Sequence, residues 1–274
     1  MKLKYIIPIF ILIAALVSCN KDDDKEDDFD AAAQALIDDG DLIAYLQSHY
    51  YIPPADGEVF GVIDTIMNNE TPLFSQVEIQ NVTENDISYK LYHYIENAGL
   101  NNAPTMTDSV LVNYRGFLLD STKFDERLSY AWLSLTNVIR GWSHGFPKYK
   151  EGINVSESGE PLKFENSGKG VMFIPSGLAY GNNGSGTIAP NKVLLFFVDL
   201  GMVVRADHDN DGILSSIEDL DGDGNPNNDD TDGDLTPNYL DTDDDNDGVL
   251  TKNESATEDA DNDGIVDYLD PDTK

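Results

Sequence analysis

The chain has 274 residues, of which 40% are apolar and 25% charged, a composition that supports a packed core and excludes a wholly disordered chain. Its length allows one large domain or two small ones. Acidic residues outnumber basic ones by 51 to 17, giving a formal net charge of −34. Such a surface repels nucleic-acid phosphates and anionic lipid headgroups and attracts hard cations such as Ca2+. A single cysteine excludes an internal disulfide framework and a cysteine-rich zinc site. The four histidines, His49, His93, His144 and His208, are too scattered for a His-cluster metal site.

Met1-Lys2-Leu3-Lys4 is basic and Tyr5 to Val17 is apolar. That run is shorter than the ~20 residues a spanning helix needs, so residues 1–18 read as a signal peptide. Leu16-Val17-Ser18-Cys19 looks like a bacterial lipobox, with Cys19 the lipidated first residue of the mature chain. The alternative is an ordinary signal peptide with an incidental cysteine. Residues 19–37 are an acidic tether by composition. The Lys-Asp-Asp run within it also resembles surface-export signals of lipoproteins in Bacteroidetes-type bacteria. The location implied is the bacterial cell envelope, as an outer-membrane lipoprotein facing the periplasm or the cell surface, with the membrane reached through the N-terminal lipid.

Residues 38–86 read as an accessory segment. Asp38 to Tyr50 can form an amphipathic helix, capped by Asp39 or Asp41, with Leu42, Ile43, Leu46 and Tyr50 on one stripe. Pro53-Pro54 ends it. Residues 87–205 turn to strand signals. Tyr89, Leu91 and His93 alternate with Lys90, Tyr92 and Tyr94, and Val110, Val112 and Tyr114 share a face. Lys192 to Val204 is nearly all apolar, as suits a central strand covered on at least one face. Only Gly141 to Glu151 suggests a short helix here, so the fold class is α+β with an antiparallel sheet.

The central residues then show six motifs in order. They are Val112-Asn113-Tyr114-Arg115-Gly116, Lys123-Phe124-Asp125, Val138-Ile139-Arg140-Gly141-Trp142, Ile174 to Gly181, Ile188-Ala189-Pro190-Asn191, and Leu194 to Leu200. The series resembles the FKBP-type peptidyl-prolyl cis-trans isomerases. The resemblance implies an antiparallel sheet curled around one short helix, with a hydrophobic pocket between them and no catalytic cofactor. It implies Trp142 as the pocket floor and Tyr114, Phe124 and Phe196 as aromatic walls. Val138 and Ile139 would lie beside the floor, with the Ile139 amide as a donor to a bound carbonyl. Tyr180 would contact the substrate backbone, Asp125 would face the twisting amide, and Ile188 would lie on a flap. Proline-containing polypeptides would be the clients. Four departures stand out. Thr187 and Ala189 flank Ile188 where compact members often have apolar or proline residues. The wall residue before the Val-Ile motif is one of Tyr130, Ala131, Trp132 and Leu133. The connection 153–169 is long, either a hairpin near the pocket rim or a surface loop. Pro147 falls within the expected helix.

Residues 206–274 change character, carrying 24 acidic residues and two basic ones, Lys252 and Lys274. Asp207, Asp209, Asp211, Gly212 and Glu218 fit a calcium-loop spacing. Asp219, Asp221, Asp223 and Gly224 repeat it, ending near Asp230. Asp230, Asp232 and Asp234 follow, with Leu235 at the glycine position and Asp241 at the end. Asp243, Asp245, Asp247, Gly248 and Glu254 make a fourth loop, and Asp259, Asp261, Asp263, Gly264, Asp267 and Asp270 a fifth. Alternate carboxylates converge on one ion, glycine permits the sharp turn, and a distal acid helps close a shell of ~6–8 oxygens. Loops this closely spaced leave no room for EF-hand helices. They resemble thrombospondin type 3 calcium repeats without the cysteines, forming an irregular tail that Ca2+ folds. Two functions follow: a lipid-anchored isomerase with a calcium-stiffened stalk, or a non-catalytic cell-surface binding module with a degenerate pocket.

Overall fold

A computed structural model describes residues 29–273; the signal peptide, Cys19 and the tether up to residue 28 lie outside the described residues. Helix α1 spans Ala31–Ser48 and is followed by β1 (His49–Ile52) and β2 (Val62–Thr65), which pair antiparallel as a hairpin. Strands β3 (Glu78–Glu84), β4 (Ile87–Asn97), β5 (Ser109–Leu118) and β6 (Lys123–Ser134) come next, then helix α2 (Arg140–Gly145). The chain continues through β7 (Ile153–Asn154), β8 (Phe164–Glu165), β9 (Gly168–Ile174) and β10 (Leu194–Val204). Six strands form one antiparallel sheet in the order β3-β4-β9-β10-β5-β6. The antiparallel sheet and single short helix inferred for residues 87–205 are present, and the sheet reaches upstream of Ile87 because β3 pairs with β4.

The apolar run of β10 is buried on both faces. Leu194, Phe196, Val198 and Leu200 join Trp142, Phe146 and Ile174 in the core between sheet and α2. Leu195 and Phe197 point the other way, into a second core with Leu42, Tyr45 and Leu46 of α1. The upstream segment is therefore the cover of the sheet's outer face, which explains why β10 does not alternate with polar residues.

Helix α1 starts seven residues before the sequence expectation and stops at Ser48. Its cap is Asp30, whose side chain accepts from the Ala33 N–H at 2.9 Å, in place of Asp39 or Asp41. The Ala-rich first turn propagates helix readily. Tyr50 belongs to β1, so Ala35, Leu42, Tyr45 and Leu46 make the buried stripe. Asp38 lies within the helix rather than at its start. It is buried and accepts from both the N–H and the Oγ–H of Ser176, at 2.7 and 2.6 Å. Helix α2 is shorter than expected. A 3-10 turn, Phe146–Lys148, follows it and takes Pro147 at a position where no N–H is needed.

The 153–169 connection forms the β7–β8 hairpin, and its Phe164 stacks edge-on against Tyr130 at 4.8 Å. The described part of the tail, 206–273, contains no α-helix or β-strand, only turns and three 3-10 segments. It lies against the sheet domain. Arg205 pairs with buried Asp108, and Ala206 N–H donates to Asp108 Oδ1 at 3.2 Å. Gly224 packs on Met106 at φ +80, a left-handed conformation that glycine adopts without cost, and a Cβ there would displace the Met106 side-chain end.

Candidate functional site

Helix α2 and the concave sheet face enclose a cavity of about 500 Å³. Trp142, at the start of α2, forms its base and is 4% exposed. The indole meets Tyr114 at 5.1 Å, Phe196 at 4.9 Å and Phe146 at 5.3 Å between ring centroids, each edge to face. These separations suit the opposed partial charges of ring edge and face. The Trp142 Nε1–H has no hydrogen-bond partner among the described residues. Phe124 stands edge-on to Phe196 at 5.3 Å and supports that wall without itself lining the cavity. Gly116 makes room for both rings, since a Cβ there would lie 2.6 Å from Phe124 and 2.9 Å from Phe196.

One edge of this apolar cup is polar. The Tyr114 hydroxyl donates to Asp125 Oδ2 at 2.8 Å, and Asp125 Oδ1 accepts from the Glu126 N–H at 2.8 Å. Burial first, and then the bond to Asp125, push the Tyr114 hydroxyl up to about 12, so it stays a protonated donor. Val138 and Ile139 are extended and lead into α2, where the Ile139 carbonyl accepts from the Trp142 N–H at 2.8 Å. Ser143 Oγ donates to the Leu135 carbonyl at 2.6 Å and fixes the helix against the preceding turn. Tyr180 lines the opposite side, four residues beyond the Ser176 that Asp38 holds.

The structure thus brings Tyr114, Asp125, Val138, Ile139, Trp142, Tyr180 and Phe196 to one cavity. Ile188 does not line it. A turn with reciprocal Ser185–Ile188 backbone bonds of 2.9 and 2.8 Å buries Ile188 in the core beside it. Of the four candidates for the remaining wall, Leu133 lines the cavity, while Trp132 is exposed and Tyr130 donates to Asp199 elsewhere. The β7–β8 hairpin is not at this rim; Phe164 and Tyr130 border a separate concavity of about 550 Å³ with Asp199.

Asn137, Arg140 and Ala179 also line the cavity and had no assigned role. Asn137 and Arg140 flank the Val-Ile pair, so their position in the motif was the available signal. Arg140 joins a rim network: it pairs with Glu84 at 2.6 Å, and its Nη2 donates to the Gly224 carbonyl of the tail at 3.1 Å. His144 Nε2 shares Glu84 Oε1 at 2.6 Å. Burial opposes the charge on Glu84, but the bonds from His144 and Arg140 outweigh it and hold the carboxyl below its usual range.

The tail loops share one backbone pattern. The fourth and sixth positions of every loop are left-handed: Asn210 and Gly212, Gly222 and Gly224, Gly233 and Leu235, Asn246 and Gly248, Asn262 and Gly264. Leu235 adopts this conformation at φ 82 although it is not glycine. The middle acids cap their own turns through one oxygen, as in Asp223 N–H to Asp221 Oδ1 at 2.9 Å and Asp263 N–H to Asp261 Oδ1 at 3.0 Å. The triads Asp219/Asp221/Asp223, Asp230/Asp232/Asp234, Asp243/Asp245/Asp247 and Asp259/Asp261/Asp263 each bring carboxylate oxygens within 4.8 Å of one another. The first loop differs: Asp209, Asp211 and Glu218 gather with Asp244, and Asp207 stands outside that group. Asp241, Glu254, Asp267 and Asp270 also lie outside these groups. Both Glu254 oxygens are nevertheless buried without partners among the described residues. Asp267 and Asp270 cap neighbouring backbone N–H groups at 2.9 and 3.0 Å. This donor set is all hard oxygen, with several buried oxygens lacking hydrogen bonds, and it fits a hard divalent cation.

A family model for FKBP-type peptidyl-prolyl cis-trans isomerases matches residues 101–201. A separate model, BamM C-terminal, matches residues 208–258. FkpA of Aeromonas hydrophila, an FKBP-type isomerase, is 38% identical over 133 residues, which cover 47% of this chain and 42% of that protein. An FK506-binding protein of Neisseria meningitidis serogroup C is 36% identical over 97 residues, covering 33% of this chain and 75% of the relative. The crystal structure of FkpA from Escherichia coli aligns with a TM-score of 0.36 and 33% identity, covering 47% of this chain and 51% of that one. The chain belongs to the FKBP-type peptidyl-prolyl cis-trans isomerase family. It spans less than half the length of the Aeromonas relative, and the match leaves both ends of the chain outside it.

Proposed function

We propose that this chain catalyses cis-trans isomerisation of X-Pro bonds in polypeptides, within a bacterial cell envelope, and that Tyr114, Phe124, Asp125, Val138, Ile139, Trp142, Tyr180, Ile188 and Phe196 make up its site. The observation that carries this reading is the aromatic cup on Trp142 with the Tyr114–Asp125 pair at its edge. The uncatalysed bond isomerises over a barrier of roughly 20 kcal/mol because twisting breaks amide resonance. Catalysis then requires only that the site prefer the twisted amide to both planar forms. Trp142, Tyr114 and Phe196 enclose the proline ring and exclude water, which favours the less polar twisted state. The Ile139 N–H and the Tyr180 hydroxyl orient the substrate backbone. Asp125 faces the twisting amide from the rim, and Phe124 and Ile188 hold the walls from behind.

The test is an isomerisation assay on a proline peptide and on a proline-limited refolding protein. Asp125→Ala and Tyr180→Phe should each lower kcat/KM by roughly tenfold, the worth of about one hydrogen bond or polar contact of ~1.4 kcal/mol. A folded chain with no activity overturns the enzyme in favour of a binding module that docks proline segments without turning them over.

The tail is read as a calcium-binding, thrombospondin type 3-like unit, supported by the repeated left-handed loop positions and the unpartnered buried carboxylate oxygens. Its ligands would be the alternating acids of the five loops, including the third, where Leu235 replaces glycine. The ion would supply the positive charge that lets these acids pack; no step of isomerisation depends on it. Membrane attachment through Cys19 rests on the lipobox-like sequence. Replacing Cys19 with serine should release the chain from the membrane fraction. Among the described residues no helix is long and apolar enough to cross a membrane.

A further inference from the structure

The first acidic loop is incomplete on its own, and a residue from another loop completes it. Asp209, Asp211 and Glu218 converge with Asp244, and one oxygen from each lies within 4.8 Å of the others. Asp244 sits at the second position of the fourth loop, between the alternating acids Asp243 and Asp245, so the loop spacing gives it no ligand role. Glu218 is fully buried and Asp244 is 1% exposed, yet both oxygens of each lack a hydrogen-bond partner among the described residues. Asp209 Oδ2 and Asp211 Oδ2 are also unpartnered, while their Oδ1 atoms accept from the N–H groups of Asp211 and Ile213 at 3.2 and 2.7 Å. Buried carboxylates in mutual contact, without donors, are strongly unfavourable as anions and either take up protons or hold a cation.

We propose that Asp209, Asp211, Glu218 and Asp244 form a single divalent-cation site that staples the first loop of the tail to the fourth. The proposal rests on the calcium reading of the tail and goes beyond it: the tail is a closed unit with a cross-loop ion at its centre, not a row of independent loops. Its neighbour from the fifth loop is Tyr268, buried and within electrostatic reach of Asp244, Glu218 and Asp211. Ala206, which opens the first loop, is tied to Asp108 of the sheet domain, so the staple also holds the distal loops close to that domain. The ligand is a hard divalent cation of Ca2+ type, because all donors are carboxylate oxygens.

The experiment is calorimetric titration of the full chain with Ca2+, for the parent, Asp244→Asn, Glu218→Gln and the double variant. Each single variant should lose, or weaken by at least roughly tenfold, the same one ion. The double variant should lose no more than that one, because both residues serve one site. Terbium emission sensitised by Tyr268 should fall in Asp244→Asn, and small-angle scattering should show an expanded tail with the sheet domain unchanged. Unaltered calcium stoichiometry and affinity in Asp244→Asn, or loss of two ions in the double variant, overturns the staple while leaving the calcium reading intact. A parent chain that binds no Ca2+ overturns both. If a variant fails to fold, its urea transition for the sheet domain reveals it, and Asp244→Ser is titrated in its place: loss or at least roughly tenfold weakening of one ion supports the staple, and parent-like binding overturns it.

Discussion

The sheet domain and the tail are held together by opposite means. In the first, β10 buries apolar side chains on both faces, and each of the strands β1–β10 is paired on at least one side. In the second, the described residues form no strand ladder, and the most buried groups include Glu218, Asp211, Asp244, Asp245 and Asp270. Burial of apolar surface needs no ligand, whereas burial of carboxylates needs a counter-charge or a proton. On the calcium reading proposed above, one chain joins a unit held by apolar burial to a unit whose stability follows ion concentration.

That contrast breaks most visibly on metal removal. Chelation with EGTA should abolish hydrogen-exchange protection across 206–273 and enlarge the hydrodynamic radius, while β9 and β10 amides stay protected. A tail that remains protected in chelator would mean the carboxylates are held by something other than a cation. The opposite lesion is Trp142→Ala, which empties the centre of the aromatic cluster. It should cost the sheet domain about 3–5 kcal/mol in urea denaturation and remove isomerase activity, with calcium binding by the tail retained.

A smaller effect distinguishes the two regions by pH. His93 is fully buried on β4; its Nε2–H donates to Gln80 at 3.0 Å, and burial pushes the ring down to about 3 from 6.5. Above pH 6.5 the ring is neutral in folded and unfolded chain alike, and its contribution to stability is complete. As pH falls below that, the unfolded chain takes up a proton the folded one refuses, so stability declines until about pH 3. Between 6.5 and about pH 5 the loss should reach about 2 kcal/mol for the sheet domain. His93→Leu should flatten that slope; an unchanged slope would assign it to other groups. The smallest effect is a gain. Leu235 holds a left-handed conformation and is 90% exposed, so Leu235→Gly removes strain without removing packing. It should raise the stability of the calcium-loaded tail by about 1 kcal/mol, read as a higher melting temperature of that transition alone.

Much of the site was legible because its residues are local. Trp142, Ile139 and Val138 sit in one five-residue motif, and Tyr114 and Phe196 each fall within a short motif on strands that prove adjacent. The parts not legible depend on which strands meet. Leu133 could not be told from Trp132 before the bulge in the β5–β6 register fixed which of the two faces inward. The helix begins at Ala31 with Asp30 as its cap, inside the stretch read as tether, because its first turn is Ala-rich and acidic composition alone does not mark where a helix starts. Asp38, expected only as the start of the helix, is buried because Ser176, far along the chain, is its partner.

By itself the sequence determined the strand-rich centre and the loop spacing of the tail, which follow from periodicity and short-range pattern, while the aromatic cup residues followed from the resemblance carried by the six motifs. Only the tertiary structure decided that the upstream segment covers the sheet, that Arg140 links the pocket rim to Gly224, and that Asp244 joins Glu218. These three are contacts between distant segments, chosen by packing and by the need to satisfy buried charge, and no local pattern encodes them.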